Sequence, residues 1–292
     1  MKRMIPILLL GLLLCGCTAR DYVQQAEYLA PLPVQHVRSG DITVGYRIFG
    51  KGEPLLMVMG FAGTMDIWDA ELIRILAEKH TVITYDNRGI ASTSAGVEKI
   101  SISRMADDAA ILLETLGYPK AHILGWSMGG LVAQELALTH PDKVDKLILL
   151  GTACDPIPVA DITRRLIRMD TKELLSHFFP SGWMEKHPDA LKELPRPSIA
   201  PDPKAVSAQA EAMLNWPGTC SSLQELQIDT LVISGTDDDI LPEPLSMELV
   251  RRIDGSWLVR FRNATHWLMY QDPASLGQTV NTFLEVEENM ME

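Results

Sequence analysis

Gly125-Trp126-Ser127-Met128-Gly129 follows the short apolar run Ala121-His122-Ile123-Leu124 and opens the apolar-periodic segment Leu131-Val132-Ala133-Gln134-Glu135-Leu136-Ala137. That order predicts a strand, a sharp turn and a helix meeting at Ser127. A serine in such a turn needs neighbours without a Cβ, so that strand and helix can close behind it. In this context G-x-S-x-G has the pattern of a nucleophile elbow. The same five residues would also suit an unreactive glycine-rich connection, so the rest of the chain has to decide.

Outward from the turn the pattern alternates. Two strand-like segments, Val34–Arg38 and Ile42–Phe49, are joined tightly at Ser39-Gly40-Asp41. Apolar runs at 55–59, 82–85, 122–124, 147–150, 231–234 and 257–261 read as six more strands. Helical periodicity fills 67–77, 105–116, 131–138, 245–252 and 274–286. Apolar strands alternating with amphipathic helices predict an α/β fold with a mostly parallel sheet covered on both faces. One interval breaks the rhythm. Residues 155–228 contain no strand-like run, several prolines, and helical fragments at 164–169, 172–179 and 205–214. So long an interval reads as an inserted helical element, a cap, dividing a core of 34–154 and 229–292. Trp183, Met184, Met213 and Trp216 within it either line an apolar cavity or pack the insert onto the body.

Reactive groups in such sheets gather at the carboxyl ends of the strands. After 55–59 comes Gly60-Phe61-Ala62-Gly63; after 231–234 comes Gly235-Thr236-Asp237-Asp238-Asp239-Ile240-Leu241-Pro242; after 257–261 comes Asn263-Ala264-Thr265-His266-Trp267. A glycine-rich turn, a serine elbow, an acid loop and a histidine loop thus share one rim, in the order Ser, Asp, His. A serine hydroxyl is a weak nucleophile until a base takes its proton, and His266 is the candidate base. His80, His122 and His140 are assigned structural places, His80 at a helix end. His36, His177 and His187 have no place at a strand edge.

These features resemble the α/β-hydrolase superfamily over roughly residues 40 to 285. The resemblance is carried by Gly-Phe-Ala-Gly at 60–63, Trp68-Asp69, Tyr85-Asp86-Asn87-Arg88-Gly89, the Gly-Trp-Ser-Met-Gly-Gly elbow, the acid loop at 235–242 and Thr265-His266-Trp267. It implies an eight-stranded sheet with a helical cap, and a catalytic triad of Ser127, Asp238 and His266. Asp238 has the spacing of the family's acid, with Asp155 as a rival position. Asp237 and Asp239 are expected to point elsewhere, capping the next helix. The resemblance also places oxyanion donors on the backbone N–H groups of Phe61 and Met128. Met59 stands where the family often has histidine, and Asp86 and Arg88 are expected to organise the loop beside the elbow. The implied activity is hydrolysis of a small carboxylic ester through an acyl-enzyme, with no cofactor and no metal. Alternatives with the same triad are C–C bond hydrolases, lactonases, cofactor-free perhydrolases and a ligand-sensing binding protein that turns over little.

The N-terminus reads separately. Met1-Lys2-Arg3 is basic, Met4 to Leu14 is almost wholly apolar, and Leu14-Cys15-Gly16-Cys17 follows. A charged start, a short apolar stretch and a small residue before the cleavage point are the marks of a secretory signal. The run is well short of the ~20 residues a spanning helix needs. Its end resembles a bacterial lipobox with Cys17 as the lipidated residue, which implies a signal peptide over 1–17, a tether over 18–33 and a membrane-anchored lipoprotein of the cell envelope. Multiple acyl chains give stable anchoring.

The chain carries a formal charge of −12, and losing residues 1–17 removes Lys2 and Arg3 and no acid, leaving −14. Such a surface repels nucleic acid and anionic headgroups, so no DNA or RNA partner is expected; the partner that the resemblance implies is a small-molecule ester or related acyl substrate. Outside the signal only Cys154 and Cys220 remain; two thiols and one disulfide are both open from the sequence.

Overall fold

The computed structural model describes residues 32–179, 182–186 and 197–286. The signal segment with Cys17, most of the tether, and His187 lie outside the described residues, as do the side chains of Trp183 and Met184. Eight strands form one sheet: β1 (Gln35–Ser39), β2 (Ile42–Phe49), β3 (Glu53–Val58), β4 (His80–Tyr85), β5 (Ala121–Trp126), β6 (Val144–Leu150), β7 (Thr230–Gly235) and β8 (Trp257–Phe261). Their order is β1-β2-β4-β3-β5-β6-β7-β8, with β2 antiparallel to both neighbours and every pairing from β4 to β8 parallel. Strands β5 and β7 are buried at every position. A strand covered on both faces has no polar side, which is why these read as unbroken apolar runs.

Helices supply the cover. On one face lie α1 (Ala70–Ala77) and α8 (Pro273–Glu285), whose Leu72, Ile73, Leu76, Leu276, Val280 and Phe283 pack beneath Leu55, Met57, Leu124 and Ile148. The other face holds α2 (Ile102–Thr115), α3 (Met128–Thr139) and α7 (Glu243–Arg252), with Ala106, Leu112, Leu131, Leu136 and Leu249 against Leu56, Ile123 and Leu147. Among the described residues no helix is long and apolar enough to cross a membrane.

Between β6 and β7 the chain folds into α4 (Pro156–Leu166), α5 (Thr171–Phe178), a single helical turn at Trp183–Lys186, and α6 (Pro203–Leu214). Two of these begin at an Asp-Pro pair. Asp155 caps α4 through the Ile157 N–H, and Asp202 caps α6 through the Lys204 N–H, both at 2.9 Å. Proline at the first helical position gives up an N–H that would have no partner there, and the aspartate satisfies the next free donor. Helix α4 therefore starts at Pro156, eight residues before the fragment expected from the apolar pattern. Met213 and Trp216 are buried in the core cluster shared with α3, so they pack the insert onto the body. The Trp216 indole N–H donates to Glu135 at 2.8 Å, and burial raises the Glu135 carboxyl above the ordinary carboxylate range.

Cys154 and Cys220 are joined in a disulfide across a sequence separation of 66 residues. One partner precedes α4 and the other follows α6, so the bond ties the two ends of the insert together. A loop of that length corresponds to roughly 4 kcal/mol of unfolded-state entropy at 25 °C. Reduction, or the double substitution Cys154→Ala with Cys220→Ala, is expected to lower the unfolding free energy by up to that amount and the denaturation midpoint with it. Urea unfolding with and without reductant measures it, and superimposable curves would show that the bond contributes nothing.

Candidate active site

The elbow is built by close approach. Ser127 adopts φ 57° and ψ −121°, a conformation costly for any residue with a Cβ. A Cβ on Gly125 would meet the Gly129 carbonyl and, at 2.8 Å, the Ala133 side chain; one on Gly129 would run into the Val58 carbonyl. Both positions therefore require glycine. The turn is held by the Ser127 N–H donating to Leu150 O at 3.0 Å, and by Thr152 Oγ1 donating to Ser127 O at 2.8 Å. Its hydroxyl is thereby presented at the carboxyl end of β5, above the middle of the sheet.

Ser127 Oγ lies 3.0 Å from His266 Nε2, and His266 Nδ1 lies 2.8 Å from Asp238 Oδ2. The three side chains come from the ends of β5, β7 and β8, and all three residues are buried. Asp238 is oriented in turn. Its Oδ1 accepts the N–H groups of Ile240 and Leu241, both at 2.9 Å, so the other oxygen is left for the imidazole. His266 is fixed by packing and by its backbone. Its carbonyl accepts the Trp126 indole N–H at 3.1 Å, and its ring packs against those of Trp126 and Phe178, at centroid distances of 5.2 and 5.7 Å.

The rival positions have other work. Asp155 caps α4. Asp237 Oδ1 accepts the Thr236 hydroxyl at 3.0 Å, and Asp239 pairs with His177 Nδ1 at 2.7 Å. Neither neighbour caps the following helix, contrary to the expectation; α7 begins after Pro242 with no side-chain cap. His177 thus stands beside the site, on the insert. His140 ends α3 and bonds to Asp107 at 2.8 Å, and His122 lies 3.2 Å from Glu53. His80 opens strand β4, correcting its expected place at a helix end.

Phe61, the first expected oxyanion donor, lines the same cavity as Ser127, and Met128, the second, directly follows Ser127. Met128 is the first residue of α3, so its N–H has no partner inside the helix. Among the described residues no protein acceptor takes the Phe61 N–H. Met59 replaces polar side-chain contacts under the Gly60–Gly63 turn by filling the space: a Cβ on Gly63 would meet its Cγ at 2.7 Å. The segment after β4 organises the surroundings. Asp86 accepts the N–H groups of Met65 at 2.7 Å and Ser92 at 2.9 Å, and burial raises its carboxyl above the usual range. Asn87 Nδ2 donates to Met59 O at 3.0 Å. Arg88 is fully buried between Asp108 and Asp41, and its guanidinium holds the Asp41 carboxyl well below the usual range.

Above Ser127 and His266 is a cavity of about 240 Å³ whose wall is otherwise apolar, including Phe61, Ile67, Trp126, Leu166, Leu174, Phe178 and Trp267. Helix α5 reaches over the loops that carry Asp238 and His266. The Phe178 carbonyl accepts the Thr265 hydroxyl at 2.5 Å and its ring stacks on Trp267 at 4.7 Å. Leu166, Leu174 and Phe178 carry the insert's share of the wall in place of Met213 and Trp216.

Residues 53–182 match the sequence model of the alpha/beta hydrolase fold family. The chain is 28% identical over 233 residues to the "Putative carbamate hydrolase RutD" of Azorhizobium caulinodans, covering 76% of this chain and 86% of that one. It is 25% identical to 3-oxoadipate enol-lactonase 2 of Acinetobacter baylyi, over 87% of this chain and 99% of the relative. Among solved structures, an alpha/beta hydrolase fold protein from Chitinophaga pinensis superposes with a TM-score of 0.79 at 26% identity, over 88% of this chain and 99% of the other. The chain has the α/β-hydrolase fold. The family match and the relatives support its place in that superfamily, as a hydrolase of the α/β type.

The geometry separates the acids by experiment. Asp238→Asn leaves the shape intact but favours the wrong imidazole tautomer, and is expected to lower kcat by up to ~10⁴-fold. Asp239→Asn and Asp155→Asn are expected to stay within about tenfold of the parent, since neither touches His266. Steady-state rates on one ester measure all three, and comparable losses in Asp238→Asn and Asp239→Asn would contradict the assignment.

Proposed function

We propose that the protein is a serine hydrolase that cleaves small, uncharged carboxylic esters by an acyl-enzyme mechanism. The observation that carries this is the 3.0 Å contact from Ser127 Oγ to His266 Nε2, made at the floor of an apolar cavity. His266 takes the hydroxyl proton as Oγ attacks the ester carbonyl. The resulting oxyanion is received by the Phe61 and Met128 N–H groups, each such donor being worth ~2.7–4 kcal/mol in systems of this kind. Collapse expels the alcohol, which leaves with the proton from His266. Water, deprotonated by the same imidazole, then frees the acid and restores the serine. Asp238 keeps Nδ1 protonated throughout and stabilises the imidazolium. These side chains and water complete the reaction, so the chemistry calls for no further group.

The cavity supports the substrate class. At about 240 Å³ it lies below the ~300–1,000 Å³ of pockets that take drug-sized ligands. Its described wall offers no cation to neutralise a substrate carboxylate. A lactone is a cyclic ester, and one relative is named for an enol-lactone, so lactones belong beside open-chain esters in the assay. With p-nitrophenyl esters of rising chain length, kcat/KM is expected to peak at acyl groups of about two to six carbons and to fall beyond. Ser127→Ala should lose roughly 10⁴-fold or more. Absence of any ester or lactone turnover above the Ser127→Ala control would refute the reading and favour a binding protein that keeps the triad.

We further propose that the domain works in the bacterial envelope, tethered by lipid on Cys17. Support comes from the basic, apolar and Gly16-Cys17 sequence of the N-terminus and from the Cys154–Cys220 disulfide, since such bonds persist in oxidising compartments. In a bacterial host, Cys17→Ala is expected to abolish palmitate incorporation and release the protein from membranes. Unchanged labelling and fractionation would rule the tether out.

A further inference from the structure

The backbone N–H of Ala62, one residue past Phe61, donates to Gln209 Oε1 at 2.9 Å. Gln209 belongs to α6 of the insert, 147 residues further along the chain, and is fully buried. Because the partner is a backbone N–H, the amide oxygen has to face it, which fixes the orientation of the side chain. Its Nε2 is then a buried donor with no partner among the described residues. An apolar residue of the same length would fill the position without leaving a donor unpaired, so the fold gains nothing from an amide there except its acceptor.

What that acceptor holds is a strained turn. Ala62 has a φ of 57°, in the left-handed region that residues with a Cβ avoid. The Gly63 N–H returns to Gly60 O at 3.2 Å, closing the turn. Gly60 leaves no slack against the elbow: a Cβ there would meet the Trp126 ring at 2.9 Å and the Ser127 Cβ at 3.2 Å. From the core, Asn87 secures the Met59 carbonyl just before the turn. From the insert, Gln209 secures the residue just after Phe61. The peptide plane between Phe61 and Ala62 is thus tied down by its own N–H, and it adjoins the plane that carries the Phe61 N–H. Other contacts of the insert with the site, through Phe178, Leu166, Leu174 and His177, form a wall or brace the loops of His266 and Asp238; this one reaches the proposed oxyanion donors.

We infer that Gln209 is a positioning residue, which aims the Phe61 N–H by gripping the Ala62 N–H, so that the insert sets the oxyanion geometry as well as covering the cavity. The inference rests on the serine-hydrolase reading of Ser127 and Phe61. It is tested in the full-length protein with p-nitrophenyl acetate and amide hydrogen exchange. Gln209→Met, which keeps length and removes the acceptor, is expected to lower kcat about 10–100-fold with KM within about threefold, a fraction of the loss when an oxyanion donor is deleted. Gln209→Glu keeps an acceptor oxygen, a buried carboxyl there being neutral, and should stay within about tenfold of the parent. Exchange of the amides at 60–64 should rise about tenfold or more in Gln209→Met and not in Gln209→Glu. If Gln209→Met does not fold, Gln209→Asn, which withdraws the amide by one methylene, takes its place with the same expectations. An unchanged kcat, a loss shared equally by Gln209→Glu, or unchanged exchange at 60–64 would overturn the inference. Should exchange respond as expected while the parent protein hydrolyses no ester, the clamp stands and the hydrolase reading falls.

Discussion

Strand β5 turns into helix α3 with no spare volume behind it, and the rest of the site follows from that contact. The backbones of Gly125, Gly129 and Val58 approach so closely that only glycine fits at the first two positions. Ser127 is then forced to φ 57°, and its hydroxyl stands clear at the sheet edge. The strain is held by the deeply paired neighbours on both sides, since β5 lies between β3 and β6 and its Ser127 N–H is already spent on Leu150. Loosening the elbow would separate Oγ from His266 Nε2, now 3.0 Å apart, and the proton transfer proposed between them is sensitive to such displacement. The glycines therefore matter through geometry, although they carry no chemistry.

Around that fixed point two kinds of support converge. The sheet brings the ends of β7 and β8 beside β5 and β6, which puts Asp238 and His266 in line. The insert adds contacts from above, each made by a single residue. Phe178 covers the imidazole, His177 engages Asp239 next to the acid, and Gln209 takes the Ala62 N–H next to Phe61. Asp66 accepts the N–H and hydroxyl of Ser198 at 2.7 and 2.8 Å, and its other oxygen pairs with the buried Arg47, which joins insert and core once more. The disulfide at the base of the insert restricts where its helices can sit. The insert is thus joined to the loops around Ser127 by polar contacts as well as by the apolar wall.

Much of the core was legible because its residues announce their own constraints. Buried parallel strands read as apolar runs, and chemistry-bearing residues follow them at the edge where the topology collects them. The resemblance to the family's acid loop distinguishes Asp238 from Asp237 and Asp239, whereas Asp155 is separated from that role only by its place as the cap of α4. An aspartate before a proline is as good a helix cap as a catalytic acid, and the sequence does not say which neighbour it faces. The insert is less legible for a related reason. Its helix α4 starts at an Asp-Pro pair and not at the apolar fragment, and Met213 and Trp216 face the core because α6 packs against α4 and toward α3. The pairing of Cys154 with Cys220 and the contact of Gln209 with Ala62 are through-space facts. No local periodicity encodes them, since each joins residues brought together by the closure of the insert.

The central claim is that Ser127 is a nucleophile activated by its neighbours. The most direct measurement is peptide mass spectrometry after treating the folded protein with a fluorophosphonate. The account predicts one phosphonyl group per chain on the peptide containing Ser127, and loss of this labelling after prior urea unfolding or in His266→Ala. A folded protein left unlabelled, or labelled elsewhere with Ser127 intact, would contradict it.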